Sequence, residues 1–181
     1  MSIPNFLSLV RIILVPVMVI LLIDGAFREA LIVLTSAGLT DALDGFLARV
    51  LHQRTSLGAY LDPIADKTLI TSCFVTLSIL GIIPSWLAVI VVSRDFIIIL
   101  GAVIFFMSSI PFEIKPALVS KITTVFQIIT VFAALIIKIF PHEFHKLWVL
   151  PLEWGTAFFT ILSGFYYITK GVKIINIYNK E

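Results

Sequence analysis

Charge and soft metal-binding chemistry are both scarce in this sequence. Only 13% of its 181 residues are charged, against about 25% in an average soluble domain. The formal net charge is +2, so no general basic surface for nucleic acid is indicated. The single cysteine, Cys73, excludes an internal disulfide; set in an apolar run, it reads as a small core or lipid-facing residue. His142 and His145 stand three residues apart but away from any carboxylate cluster, and read as interfacial residues rather than a metal pair. There is no Gly-rich phosphate loop, no internal repeat and no low-complexity segment. Hydrocarbon dominates instead: 60% of the residues are hydrophobic and the mean hydropathy is +1.11. The natural solvent of such a chain is a lipid bilayer.

Apolar stretches long enough to cross about 30 Å of hydrocarbon fall at residues 7–23, 30–50, 62–83, 86–107, 116–140 and 150–175. They predict an all-α, polytopic membrane protein, a bundle of six transmembrane helices forming one domain over residues 1–181. The first stretch is expected to be a retained helix and not a signal peptide, because Arg11 comes late and Asp24, Arg28 and Glu29 follow where small residues should mark a cleavage site. Pro84 and Ser85 are start signals for the fourth helix. For the third, Asp62 and Pro63 could be an N-cap and first helical residue, or the helix begins earlier, near Ser56. Six spans would put both termini on one side, with nine basic residues on or near it (Arg11, Arg49, Arg54, Lys67, Lys115, Lys121, Lys170, Lys173 and Lys180) against Arg28, Lys138 and Lys146 on the other. That excess orients the termini toward the cytoplasm. Trp86, Trp148 and Trp154 near helix ends read as an aromatic belt.

The densest chemistry lies in Thr40 to Lys67, TDALDGFLARVLHQRTSLGAYLDPIADK. Asp41 and Asp44 are three residues apart and Asp62 and Asp66 four apart, so on helices each pair shares a face. Charged groups in membrane helices are costly and functional by default. Four uncompensated carboxylates would repel one another; divalent cations would resolve that, and an all-oxygen site suits Mg²⁺ or Mn²⁺. A two-ion site suits displacement at phosphorus. Gly45, Ala48 and Gly58 either admit a base or diphosphate to the backbone or allow close helix packing. Arg49 is a phosphate partner or a topology signal. Glu153, near the start of the last helix, reads as a partner of the helix dipole.

The pattern Asp41-x2-Asp44-Gly45-x2-Ala48-Arg49-x8-Gly58-x3-Asp62-x3-Asp66, eight fixed positions over 26 residues, resembles in full that of the CDP-alcohol phosphatidyltransferase family. The resemblance implies that Asp41, Asp44, Asp62 and Asp66 are metal ligands, two ions being expected, and that Asp66 is the base that deprotonates the acceptor alcohol. It implies that Gly45, Ala48, Arg49 and Gly58 line the CDP site. The opening Ile3-Pro4-Asn5-Phe6-Leu7-Ser8-Leu9-Val10-Arg11 is similar to the glycerophospholipid-making branch, in which Asn5, Ser8 and Arg11 would lie beside the nucleotide; on their own, Asn5 and Ser8 are equally surface or capping residues. The implied reaction moves a phosphatidyl group from CDP-diacylglycerol to a glycerol-type acceptor and releases CMP. A homodimer in a bacterial cell (inner) membrane, with the site on the cytoplasmic side, is the accompanying expectation.

For the acceptor, the candidates are Arg94 and Asp95 in the fourth helix and Lys115, Ser120, Lys121, Thr124 and Gln127 around the fifth. An intramembrane Arg94 must face a cavity or pair, for instance with an aspartate; Lys121 and Gln127 could also be interfacial snorkelling and helix glue. Bacterial phosphatidylglycerophosphate synthases usually carry Arg-Glu here and a second arginine seven residues on, where this chain has Gly101. The stretches Ser93-Arg94-Asp95, Lys115-Pro116-x3-Ser120-Lys121-x2-Thr124-x2-Gln127 and Ala37-Gly38-Leu39-Thr40-Asp41 look more like the cardiolipin synthases of eukaryotic type, whose acceptor is phosphatidylglycerol. Glycerol 3-phosphate is the alternative acceptor, with a cation transporter or channel as a remote reading; aspartates gathered at one membrane boundary, interleaved with Gly, Ala and Arg, fit that reading poorly.

Overall fold

The computed structural model describes residues 3–50, 56–107, 118–140 and 149–178, with side-chain surroundings for 9–40, 65, 67–105, 107, 118–140 and 149–176. Among the described residues there are six α-helices and no strand: α1 (Ile3–Ile23), α2 (Phe27–Val50), α3 (Ser56–Ile79), α4 (Ser85–Met107), α5 (Leu118–Ile139) and α6 (Leu150–Tyr178). The third helix takes the earlier of its two anticipated starts, so Asp62 and Pro63 lie inside α3 instead of opening it.

Two helix ends are fixed by glycine. Gly25 and Gly81 have φ of 72° and 67°, a region that costs glycine little and other residues more. At the first, Ala26 N–H reaches Leu21 O at 2.9 Å and Gly25 N–H reaches Leu22 O at 3.2 Å. At the second, Ile82 N–H reaches Leu77 O at 2.9 Å and Gly81 N–H reaches Ser78 O at 3.0 Å. Both are Schellman caps, which satisfy the last carbonyls of a helix. The second ends α3 at Ile79, four residues before the end expected from hydropathy. Beyond it the Pro84 carbonyl accepts from Leu87 N–H at 3.0 Å and opens α4.

The chain divides into two compact units, residues 1–83 with 131–145, and residues 84–130 with 146–181. In the first unit α1 packs against α2 and α3. Its core is hydrocarbon at helical spacing: Met18 and Leu22 on α1, Ala30, Leu34 and Ala37 on α2, and Leu69, Cys73, Phe74 and Leu77 on α3 are buried. The other faces keep Ile13, Ile20, Ile32 and Ile79 exposed, as a lipid-facing surface would. Thr35, Ser36, Thr40 and Ser72 on these helices bond to their own backbone. Thr35 Oγ1 donates to Leu31 O at 2.7 Å, and Ser72 Oγ to Thr68 O at 2.6 Å.

In the second unit α4 packs against α6. The Trp86 and Trp154 rings lie 5.2 Å apart, each one residue or a turn inside its helix start, so the two helices run parallel. The part of α5 in this unit runs antiparallel to α6: Thr123 Oγ1 donates to Phe159 O at 2.9 Å, while seven residues later Thr130 shares a 2.7 Å hydroxyl bond with Thr156.

Among the described residues two segments, Ser85–Phe105 and Leu118–Ile139, are both long and apolar enough to cross a bilayer. The six-helix count thus agrees with the sequence, and length together with apolarity sufficient to cross a bilayer is shown for α4 and α5. Charge interrupts the hydrocarbon of three other helices, with Asp41, Asp44 and Arg49 in α2, Asp62, Asp66 and Lys67 in α3, and Glu153, Lys170 and Lys173 in α6, whereas α1 carries Arg11 alone.

Candidate functional site

The motif falls on the last ten residues of α2 and the first half of α3. Because both segments are helical, spacings of three and four residues bring Asp41 and Asp44, and likewise Asp62 and Asp66, one turn apart. The donor set is carboxylate oxygen, which fits a hard divalent ion. The side chains of Asp41, Asp44, Gly45, Ala48, Arg49, Gly58, Asp62 and Asp66 lie outside the described residues, as do those of Asn5 and Ser8, and so does Lys115. Arg11 on α1 is described, and it is 1% exposed. A guanidinium is withdrawn from solvent only where partners compensate its charge, so Arg11 belongs to the interior of the first unit. His142, His145 and Trp148 also lie outside the described residues.

The candidate acceptor residues separate into two kinds. Lys121 and Thr124 are exposed, Thr124 Oγ1 donating to Ser120 O at 3.1 Å. Arg94, Asp95 and Gln127 are buried. Arg94 Nη1 donates to Asp95 Oδ1 at 2.6 Å, Nη2 to Ser120 Oγ at 2.6 Å and to Ser163 Oγ at 2.8 Å, and Nε to Ser163 Oγ at 3.2 Å. The Tyr167 ring covers the guanidinium, with its centroid 5.9 Å from Cζ, within reach of a cation–π contact. Of the two readings open to Arg94, pairing with an aspartate is thus realised, and the same residue also engages the two neighbouring helices of its unit.

Sequence reasoning passed over Ser163 and Tyr167, and with them most of a buried polar seam. On α6, Glu153, Thr156, Thr160 and Ser163 are buried, and their spacings of three, four and three place them along one stripe. On α5, Thr123, Gln127 and Thr130 form the matching stripe. Glu153, read from sequence as a partner of the helix dipole, indeed lies in the first turn of α6 and is also buried. Gln127 Nε2 and Thr160 Oγ1 are buried and have no hydrogen-bond partner among the described residues. The missed signal was this heptad-like run of small polar residues, each of which looked unremarkable singly.

Past Arg94, toward the C-terminal ends of α4 and α6, the second unit carries an apolar groove of about 250 Å³. Ile97, Gly101, Ile104 and Phe105 line it from α4, and Tyr167 and Val172 from α6. A Cβ on Gly101 would meet nothing within 4 Å, so this glycine leaves the groove open.

Residues 1–162 match the family model described as CDP-alcohol phosphatidyltransferase. The chain is 36% identical over 192 aligned residues to the cardiolipin synthase (CMP-forming) of Homo sapiens, covering 97% of this chain and 64% of that protein. It therefore spans under two thirds of the length of that relative. It is 30% identical to the CDP-diacylglycerol–glycerol-3-phosphate 3-phosphatidyltransferase of Aquifex aeolicus, covering 97% of this chain and 98% of the relative. To the Bacillus subtilis protein of the same description it is 28% identical, covering 98% and 99%.

Proposed function

The chain belongs to the CDP-alcohol phosphatidyltransferase family, and from that premise we propose that it transfers the phosphatidyl group of CDP-diacylglycerol to phosphatidylglycerol, releasing CMP. The observation that carries the reaction class is the complete motif on α2 and α3, with its four aspartates in two one-turn pairs. Asp41, Asp44, Asp62 and Asp66 would hold Mg²⁺ or Mn²⁺, two ions suiting four carboxylates. Bound there, the metal would neutralise the diphosphate and the departing CMP. Gly45, Ala48 and Gly58 would leave the backbone open to the nucleotide, and Arg49, with Asn5, Ser8 and Arg11 from α1, would recognise it. Asp66 would accept the proton of the acceptor hydroxyl as that oxygen bonds to the phosphorus carrying diacylglycerol. The bond from that phosphorus to the bridging oxygen breaks, and CMP leaves with the electron pair.

Phosphatidylglycerol is supported as acceptor by the surroundings of Gly101. A phosphomonoester such as glycerol 3-phosphate favours several cations, whereas the groove at Gly101 is lined by hydrocarbon and one tyrosine and the nearby Arg94 is already bonded to protein groups. A glycerol 3-phosphate acceptor is favoured by a different observation, the near-complete coverage of the Aquifex and Bacillus relatives. An acceptor competition decides between them: purified protein with Mg²⁺, CDP-diacylglycerol and one acceptor at a time, following CMP and lipid product together. The proposal expects cardiolipin from phosphatidylglycerol and no product from glycerol 3-phosphate; the opposite result would overturn it. A cation channel would release no CMP with either.

A six-span arrangement is part of the proposal. The shortest helix, α1, has 21 residues, about 31 Å at the helical rise, enough to cross a bilayer. The nine-to-three excess of basic residues then puts the motif on the cytoplasmic side of a bacterial membrane.

A further inference from the structure

We propose that Arg94 is a positioning residue that ties α4, α5 and α6 of the second unit together and fixes the start of α5, and that it makes no contact with the acceptor. The inference rests on the acceptor side of the reading above. A guanidinium has five N–H donors, and the four bonds to Asp95, Ser120 and Ser163 leave one of them. Bidentate capture of a phosphate needs two in parallel. The side chain is 4% exposed, one face is covered by Tyr167, and Asp95 at 2.6 Å offsets the charge. What remains is too little free donor and too little net charge to hold an anionic acceptor.

The geometry serves another purpose. Ser163 lies near the middle of α6 and receives a forked pair of bonds from Nε and Nη2. Ser120 lies in the first turn of α5 and receives the other bond of Nη2. One planar group thus joins α4 to both neighbours in its unit. The residue after Ser120 is the exposed Lys121, so the tie fixes where α5 presents its first basic side chain. Lysine, a point charge on a flexible stem, cannot reproduce a planar fork shared by two hydroxyls, though it can still serve as a phosphate contact.

The test compares Arg94→Lys, Arg94→Gln, Ser163→Ala, Ser120→Ala and the double variant Arg94→Gln with Asp95→Asn, each by thermal unfolding in detergent and by steady-state kinetics with phosphatidylglycerol varied. A tie predicts that Ser163→Ala and Ser120→Ala lower the unfolding midpoint. It predicts that Arg94→Lys loses more than tenfold in kcat while its acceptor KM stays within twofold of wild type. It also predicts that the double variant unfolds at a higher temperature than Arg94→Gln alone, because the single change removes one charge of the buried 2.6 Å ion pair and leaves the other, whereas the double change removes both. A tenfold or greater rise in acceptor KM in Arg94→Gln, with its midpoint unchanged and activity kept by Arg94→Lys, would overturn the proposal. Unchanged kcat per folded molecule in all five would reduce Arg94 to a stabilising role and likewise overturn it. If wild-type protein releases no CMP, the functional reading fails, and the order of unfolding midpoints still accepts or rejects the tie.

Discussion

Among the described residues the two units bury different proportions of hydrocarbon and polar matter. In the first, Met18, Leu22, Leu34, Phe74 and Leu77 are buried together with Arg11, and the hydroxyls of Thr35 and Ser72 turn back onto their own helices. In the second, an arginine–aspartate pair, a glutamine, a glutamate and a run of hydroxyls occupy the buried stripes, and several bonds cross between helices. In water the first kind of core would be ordinary and the second weak. In lipid the balance changes, because tails are as apolar as leucine and helix association relies on close packing and interhelical hydrogen bonds. Among the described residues, the unit that carries the aspartate motif therefore shows mostly apolar packing, and direction-dependent polar bonds cross between helices in the unit that carries the candidate acceptor residues. Chemistry and stability should respond to substitution separately in the first unit and together in the second.

The largest effect is expected from Asp66→Asn. Loss of a general base lowers rate by about 10²- to 10⁴-fold, so CMP release should fall by that order while the unfolding midpoint hardly moves; wild-type turnover in this variant would remove Asp66 from the base role. Next, Phe74→Ala empties a site with 0% exposure and should destabilise by about 3–5 kcal/mol, seen as a lower unfolding midpoint in detergent. Its activity per folded molecule should be retained, and a proportionate loss of kcat would blur the distinction between the units. Gly81→Ala places a Cβ on a backbone with φ of 67° and should cost about 1 kcal/mol through the lost cap. The smallest effect belongs to Thr130→Val, which removes the 2.7 Å bond to Thr156. Single interhelical bonds in membranes average about 0.6 kcal/mol, so an effect several times larger would show that the seam acts cooperatively.

Much of this was legible in the sequence. Helix positions followed from apolar length and from punctuation, and Pro84 opens α4 as its chemistry requires. The end of α3 was misplaced because Ile82 and Ile83 continue the apolar run, whereas the backbone reverses at Gly81. The six spans were harder to support by hydropathy, since the aspartates, Arg49 and Lys67 that make α2 and α3 chemically interesting also lower their apolarity. The polar seam was the least legible feature. Thr156, Thr160 and Ser163 carry no charge and match no motif, and their meaning appears only when α5 supplies Thr123, Gln127 and Thr130 opposite them. Arg94 stood between these cases: its need for a partner was plain, and Asp95 was a visible one, but Ser163 is 69 residues away in the chain.

The central claim is that the four aspartates of α2 and α3 make this chain a metal-dependent phosphatidyltransferase. The most direct measurement is CMP release from CDP-diacylglycerol by the purified protein with phosphatidylglycerol present, after chelation with EDTA and then on titration with Mg²⁺, for wild type and Asp44→Ala. The account predicts that chelation abolishes release, that Mg²⁺ restores it in wild type, and that Asp44→Ala needs far more Mg²⁺ or does not recover. CMP release that ignores chelation, or an Asp44→Ala variant with wild-type metal dependence, would contradict it.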